Sequence, residues 1–294
     1  MYLFLIVCFE LYLIWIFPWQ LTFGLIAFYM LWYLDGKEYN GERRWEAFRT
    51  LRVWRWVSPV EIVLSSRNDL QTISGKRVFI FVGAYTPSSL IWSIGLHGGS
   101  LQFKNTLHYM VPPVFMWIPI VRDVLLWTGA ITYSCYNERC SKQAVLAEMI
   151  SQSRSVAYVP SGFADRIAHQ DDLETGIQMR FPTNDTLDMF IREAVQVIPV
   201  VVQGEFDRYR IIQHKYLKGV QAWFYKHSDY VFPLLYWYRW YAHVKPPPIT
   251  VQFGSIMAAA VYTGGAEQLK QTMKESVETL LQPSNLIEKE IKSN

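Results

Sequence analysis

Four short apolar runs, each bounded by turn formers, limit the fold more than any other feature of this chain: residues 77–83 (RVFIFVG), 156–160, 197–203 (VIPVVVQ) and 249–254. Continuous apolar runs of that length read as strands buried on both faces. Helical patterns lie between them. Residues 141–150 form one; residues 185–194 form another, with Leu187, Phe190, Ile191 and Ala194 at helical spacing behind Asp185 as a cap. Residues 266–281 place Leu269, Met273, Val277 and Leu280 on one stripe. Strands alternating with helices imply an α/β fold, a mostly parallel or mixed sheet covered by helices.

The amino-terminal stretch is different. Residues 1–34 are almost wholly apolar, interrupted by Glu10, Pro18 and Gln20, and end at Asp35-Gly36-Lys37-Glu38. Each side of Pro18 offers an arm of about 17 residues, close to 25 Å of helix. Two geometries compete: a membrane hairpin turning at Phe17-Pro18-Trp19, or one transmembrane helix with the remainder in the interface. The hairpin is the expectation, because Pro and Trp sit at its midpoint and the positive charges follow it. A cleaved signal peptide fits less well, for want of an early positive charge and a small-residue cleavage site. Residues 35–75 follow as an interfacial region in which Arg43, Arg44, Arg49, Arg52 and Arg55 alternate with Trp45, Trp54 and Trp56. A headgroup-facing helix and a helix packed on the domain are equally compatible with that pattern. A folded α/β domain is then expected over 76–283, and a flexible tail over 284–294.

Composition narrows the function. Of 294 residues, 51% are hydrophobic and 16% aromatic, which suits lipid as well as a large core. A net charge of +3 without a basic run leaves no footprint for a nucleic acid. Cys8, Cys135 and Cys140 have neither zinc spacing nor an even count, so no metal is expected and the thiols read as reduced. The aromatic-rich stretch 219–247 fits an acyl-chain wall, a membrane-facing surface or plain core.

Five blocks in order resemble the diacylglycerol acyltransferase type 2 family, the diacylglycerol, monoacylglycerol and wax-ester acyltransferases, over about residues 28–283. The apolar arm, Asp35 and the Arg/Trp region resemble its anchor. Ile118-Pro119-Ile120-Val121-Arg122-Asp123-Val124-Leu125-Leu126, leading to Gly129, resembles its proline-arginine-acidic-leucine segment. Val159-Pro160-Ser161-Gly162-Phe163-Ala164-Asp165 stands where the family has Gly-Gly-Ala-x-Glu, with Asp165 for the glutamate. Residues 191–194 and 198–205, ending Gln203-Gly204-Glu205, resemble its helix, Val-Pro strand and Gly-Glu pair; residues 246–254 resemble its last Pro-Ile strand.

The resemblance implies a glycerolipid acyltransferase-like fold in the endoplasmic reticulum membrane, with the catalytic domain facing the cytosol. It also implies acyl transfer from acyl-CoA to a hydroxyl of a glycerolipid or alcohol, as in triacylglycerol synthesis. No cofactor is implied beyond acyl-CoA as substrate. Membrane lipid is an expected partner, and so is a homo- or hetero-oligomer with a related acyltransferase.

One departure decides the chemistry. Where the family carries His-Pro-His-Gly, strand 77–83 runs into Thr86-Pro87-Ser88-Ser89. The proline remains and both imidazoles are gone. In the family, imidazole takes the acceptor proton as its oxygen attacks the thioester. Neither Thr86 nor Ser88 is a base near neutral pH, and Ser88 as a nucleophile would itself need one. His97, in Leu96-His97-Gly98-Gly99, is the candidate replacement; His108, placed in a helix leading to Pro112-Pro113, is a weaker one, as are the four later histidines. Glu205 at a strand's carboxyl end and Asp165 are candidate orienting carboxylates. Arg122, Gly162 and Gly204 are candidates for binding acyl-CoA or lipid, with a salt bridge as the plainer role for Arg122. The alternative is a catalytically inactive member that serves as a lipid-binding or regulatory partner.

Overall fold

The computed structural model describes residues 12, 19–33, 37–49, 51, 54, 60–64, 76–83, 88–96, 107–134, 137, 140–160, 181–204, 209–211, 218–228, 235–237 and 249–281. The chain forms two compact units, 1–37 and 38–294.

In the first unit the described helix is α1, Trp19–Tyr33, which starts directly after Pro18. Its 15 residues span about 22 Å against a hydrocarbon core of about 30 Å. Among the described residues no helix is long and apolar enough to cross a membrane. The expected membrane hairpin is therefore corrected: the described helix, Trp19–Tyr33, is too short for a spanning arm.

The second unit is built on a mixed sheet whose strands are β1 (Val60–Leu64), β2 (Arg77–Val82), β3 (Leu107–Met110), β4 (Ala130–Ile131), β5 (Ser155–Tyr158), β6 (Gln196–Gln203), β9 (Ile249–Phe253) and β10 (Met257–Ala258). Across the sheet the order is β1-β9-β6-β2-β5-β3-β4. From β6 to β4 every pairing is parallel, while β9 runs antiparallel to β6 and carries β1 parallel to itself. β7 (Tyr209–Ile211) and β8 (Leu235–Trp237) form a separate antiparallel pair.

Pro199 lies inside β6, where a missing N–H would normally break a ladder. The break is absorbed on one side. β9 pairs with Val200 to Gln203 and β10 with Gln196 and Val197, so the partner strand is interrupted opposite the proline, where the Gly254 N–H donates to the Pro199 carbonyl at 2.8 Å.

Alternate residues of β2 enter two cores, as the two-residue period of a strand requires. Phe79 and Phe81 face the first, with Leu90, Ile94, Tyr109 and Phe253. Val78, Ile80 and Val82 face the second, with Tyr158 and helices α5 (Lys142–Ser151), α6 (Asn184–Arg192) and α8 (Gly265–Leu281). The first face is covered by α3 (Ser88–Leu90), a π-helix over Ile91–Leu96, and α4 (Val121–Trp127). The remaining helices are the single turn α2 (Glu46–Arg49) and α7 (Lys218–Ser228). Within the Arg/Trp region, Trp45 and Phe48 pack on Trp127 at 5.6 and 5.7 Å between ring centroids, while Arg49 turns inward and is buried.

Candidate functional site

Three parallel neighbours, β5, β2 and β6, end on one edge of the sheet, the edge where open α/β sheets bind ligands. β2 leaves it through Gly83 (φ 76°) and β6 through Gly204 (φ 84°), conformations glycine adopts without the Cβ penalty. Beyond Gly83 the chain reaches α3, which begins at Ser88, the position of the altered motif. Ser89 and Leu90 are buried, and Ser93 Oγ donates to the Ser89 carbonyl. The helix then widens into its π turn, a form that recurs at functional sites.

Arg49 holds the end of that π turn. Its Nε donates to the Gly95 carbonyl at 2.7 Å and its Nη2 to the Ile94 carbonyl at 2.8 Å, while Nη1 meets both oxygens of Glu46 at 3.1 and 3.2 Å. Burial, and then the charge of Arg44, lowers its pKa to about 10, so it stays charged at neutral pH. This guanidinium satisfies two carbonyls at the helix end immediately before His97.

Of the residues singled out from the sequence, Thr86, Pro87, His97, Gly162, Asp165 and Glu205 lie outside the described residues. Ser88, Ser89 and Gly204 fall at the carboxyl edge of β2 and β6. Arg122 falls elsewhere: it is wholly buried in α4, with Nη2 on Glu38 Oε2 at 2.8 Å. Its neighbour Asp123 accepts from Arg43 Nη1 at 3.0 Å. What turns both inward is a strained γ-turn at Ile120 (φ 64°, ψ −51°), closed by the Val121 N–H on the Pro119 carbonyl at 2.6 Å. The arginine therefore holds the fold together from inside.

His108 also differs from expectation. It is on β3, not in a helix: Leu107-His108-Tyr109-Met110 is a fully buried strand, and four apolar-flanked residues before a proline pair are too few for a helix. Its Nδ1 donates to the Gly129 carbonyl at 3.2 Å. Desolvation first, then Arg44 and Arg154, drives its pKa down to about 3, so the ring is neutral. Register places it level with Val156 and Val78, four residues short of Val82 and roughly 13 Å from the edge. It cannot serve as a base there. His227 lies on α7, stacked on Trp223 with ring centroids 4.5 Å apart.

Two features escaped the sequence. Arg49 was legible only as one arginine of an interfacial pattern, although its Glu46 partner stands at helical spacing. Tyr158 was legible only as a strand residue; it is buried beside a cavity of about 460 Å³ on the second face of the sheet. Neither partner carbonyls nor cavity volume leaves a mark in a linear pattern.

No protein-family model matches the chain, and no curated protein matches it. A solved structure similar to it is the crystal structure of the 1-acyl-sn-glycerophosphate (LPA) acyltransferase, PlsC, from Thermotoga maritima. The TM-score is 0.47 at 12% identity, over 81% of this chain and 79% of that one.

Proposed function

We propose that the chain is an acyltransferase that moves an acyl group from acyl-CoA to a hydroxyl of a glycerolipid or alcohol, with the reaction at the carboxyl edge of β2 and β6. The observation that carries this reading is the junction itself: a buried parallel strand, a left-handed glycine, and a short helix that begins at Ser88 and buries Ser89 and Leu90, where the resembled family places its catalytic motif. The reading assigns the proton transfer to His97, the residue next in sequence after the π turn that Arg49 holds. The imidazole would take the acceptor proton as the oxygen attacks the thioester carbonyl, and would return it to the departing thiolate.

A second reading, an inactive lipid-binding or regulatory member, is favoured by one observation. Among the described residues His108 is not placed to act at the edge of β2. Labelled acyl-CoA with a panel of acceptors separates the two. On the first reading His97→Ala lowers transfer by about 10² to 10⁴-fold, the usual worth of a positioned base. If the natural chain is silent and a Thr86→His/Ser88→His double variant transfers acyl groups, the second reading replaces the first.

A further inference from the structure

We propose that the cavity between the first turns of α5 and α6 is a receptor for a phosphate group. It lies off the carboxyl ends of β4 and β5, on the sheet face opposite α3, so it is separate from the junction assigned to acyl transfer and does not depend on that reading.

Two helices point their amino termini at it. Gln143 Nε2 meets Thr186 Oγ1 at 3.4 Å, which ties the first turn of α5 to that of α6, and both residues line the cavity. Backbone N–H groups and the positive end of the helix dipole converge where two such termini meet. At α6 the capping position is Thr183, whose side chain makes no capping bond and instead meets Thr186 Oγ1 at 3.0 Å. Lys142 and Lys226 add positive charge, and none of the described lining residues is acidic.

The independent sign of a ligand is Tyr158. It lines the cavity and is 3% exposed, and among the described residues its hydroxyl has no hydrogen-bond partner. Burial raises its pKa, so the phenol is a donor at every physiological pH. A buried donor with no acceptor opposes folding, and native chains rarely keep one without a use. Lysine ammonium, phenol O–H and helix N–H groups are all donors here, arranged on several sides of one space. A tetrahedral anion with several oxygens accepts from all of them, where an apolar ligand would leave the phenol unpaired. The volume, about 460 Å³, exceeds that of inorganic phosphate, which fits a phosphate carried on a larger organic body.

Calorimetric titration of the purified full chain tests this with inorganic phosphate, glycerol 3-phosphate, coenzyme A and 3′-dephospho-coenzyme A. Saturable one-site binding of at least one probe is expected, weakening with salt. Tightest binding by phosphate alone marks a free anion, by glycerol 3-phosphate a headgroup, and by coenzyme A over its dephospho form a nucleotide phosphate. Tyr158→Phe should weaken that binding about tenfold or more with no fall in melting temperature, and Lys226→Gln, on the exposed surface of α7, should weaken it comparably. Absence of binding by all four probes overturns the proposal. So does binding that both variants leave unchanged.

Discussion

Arg49 and Tyr158 sit behind opposite faces of the same sheet, and each buries a strong polar group. The guanidinium of Arg49 is matched on every side, to the Ile94 and Gly95 carbonyls and to Glu46. Among the described residues the hydroxyl of Tyr158 is matched to nothing. The first belongs to an element that must keep one shape, since a buried charge persists only where its hydrogen bonds are satisfied. The second belongs to a residue that lines the cavity, and on the proposal above its hydrogen bond goes to the bound anion. Burial alone therefore does not distinguish a structural polar group from a binding one; the state of its partners does.

The largest test of that contrast is Arg49→Met. It leaves the Ile94 and Gly95 carbonyls without their donor, while Glu46 keeps Arg44, and urea unfolding should show a loss of about 2–6 kcal/mol at about 1–3 per buried carbonyl. A loss under about 1 kcal/mol would mean that the π turn holds without its anchor, and the contrast would fail.

His108 is the intermediate case, with Nδ1 paired to Gly129 and Nε2 without a partner among the described residues. Its folded pKa of about 3 lies below the unfolded value, so the unfolded chain takes up the proton first. The stabilisation is whole above about pH 6.5 and is lost as pH falls toward 3, by up to about 1.4 kcal/mol per pH unit. Unfolding free energies of the natural chain and His108→Asn across that window should diverge, with the variant's curve the flatter.

Tyr158→Phe should move stability the other way. Deleting an unpaired buried hydroxyl while keeping the ring against Phe190 should raise unfolding free energy by about 1–3 kcal/mol in the absence of ligand. A drop instead would show that the hydroxyl is satisfied within the fold. Lys76→Ala sets the scale for an exposed pair. Lys76 and Glu193 meet at 3.0 Å on the surface, and thermal melts should register less than about 1 kcal/mol.

Much of the second unit was readable along the chain. The strand expected at 77–83 is β2 over Arg77–Val82, and that at 197–203 is β6 over Gln196–Gln203. Helices expected from 141, 185 and 266 begin at Lys142, Asn184 and Gly265. These elements are long, or buried on both faces, so their periodicity survives in the residue order. β3 and β4 did not announce themselves, being four and two residues long, and His108 was misplaced with the former. The amino-terminal arm was over-read for a related reason, because apolarity is visible in a sequence while the length of the helix it forms is not.

The sequence by itself determined that this chain builds a covered mixed sheet, that a strand runs into Thr86-Pro87-Ser88-Ser89, and that no imidazole stands in that motif. These are local properties: periodicity, turn formers and the identity of residues side by side. Only the tertiary structure decided that Arg49 anchors a π turn, that Arg122 is spent on Glu38, that His108 lies a strand's length below the edge, and that Tyr158 lines a cavity while its hydroxyl has no partner among the described residues. Each of those depends on which groups from distant parts of the chain meet, and hydrogen-bond satisfaction and desolvation are settled by that meeting.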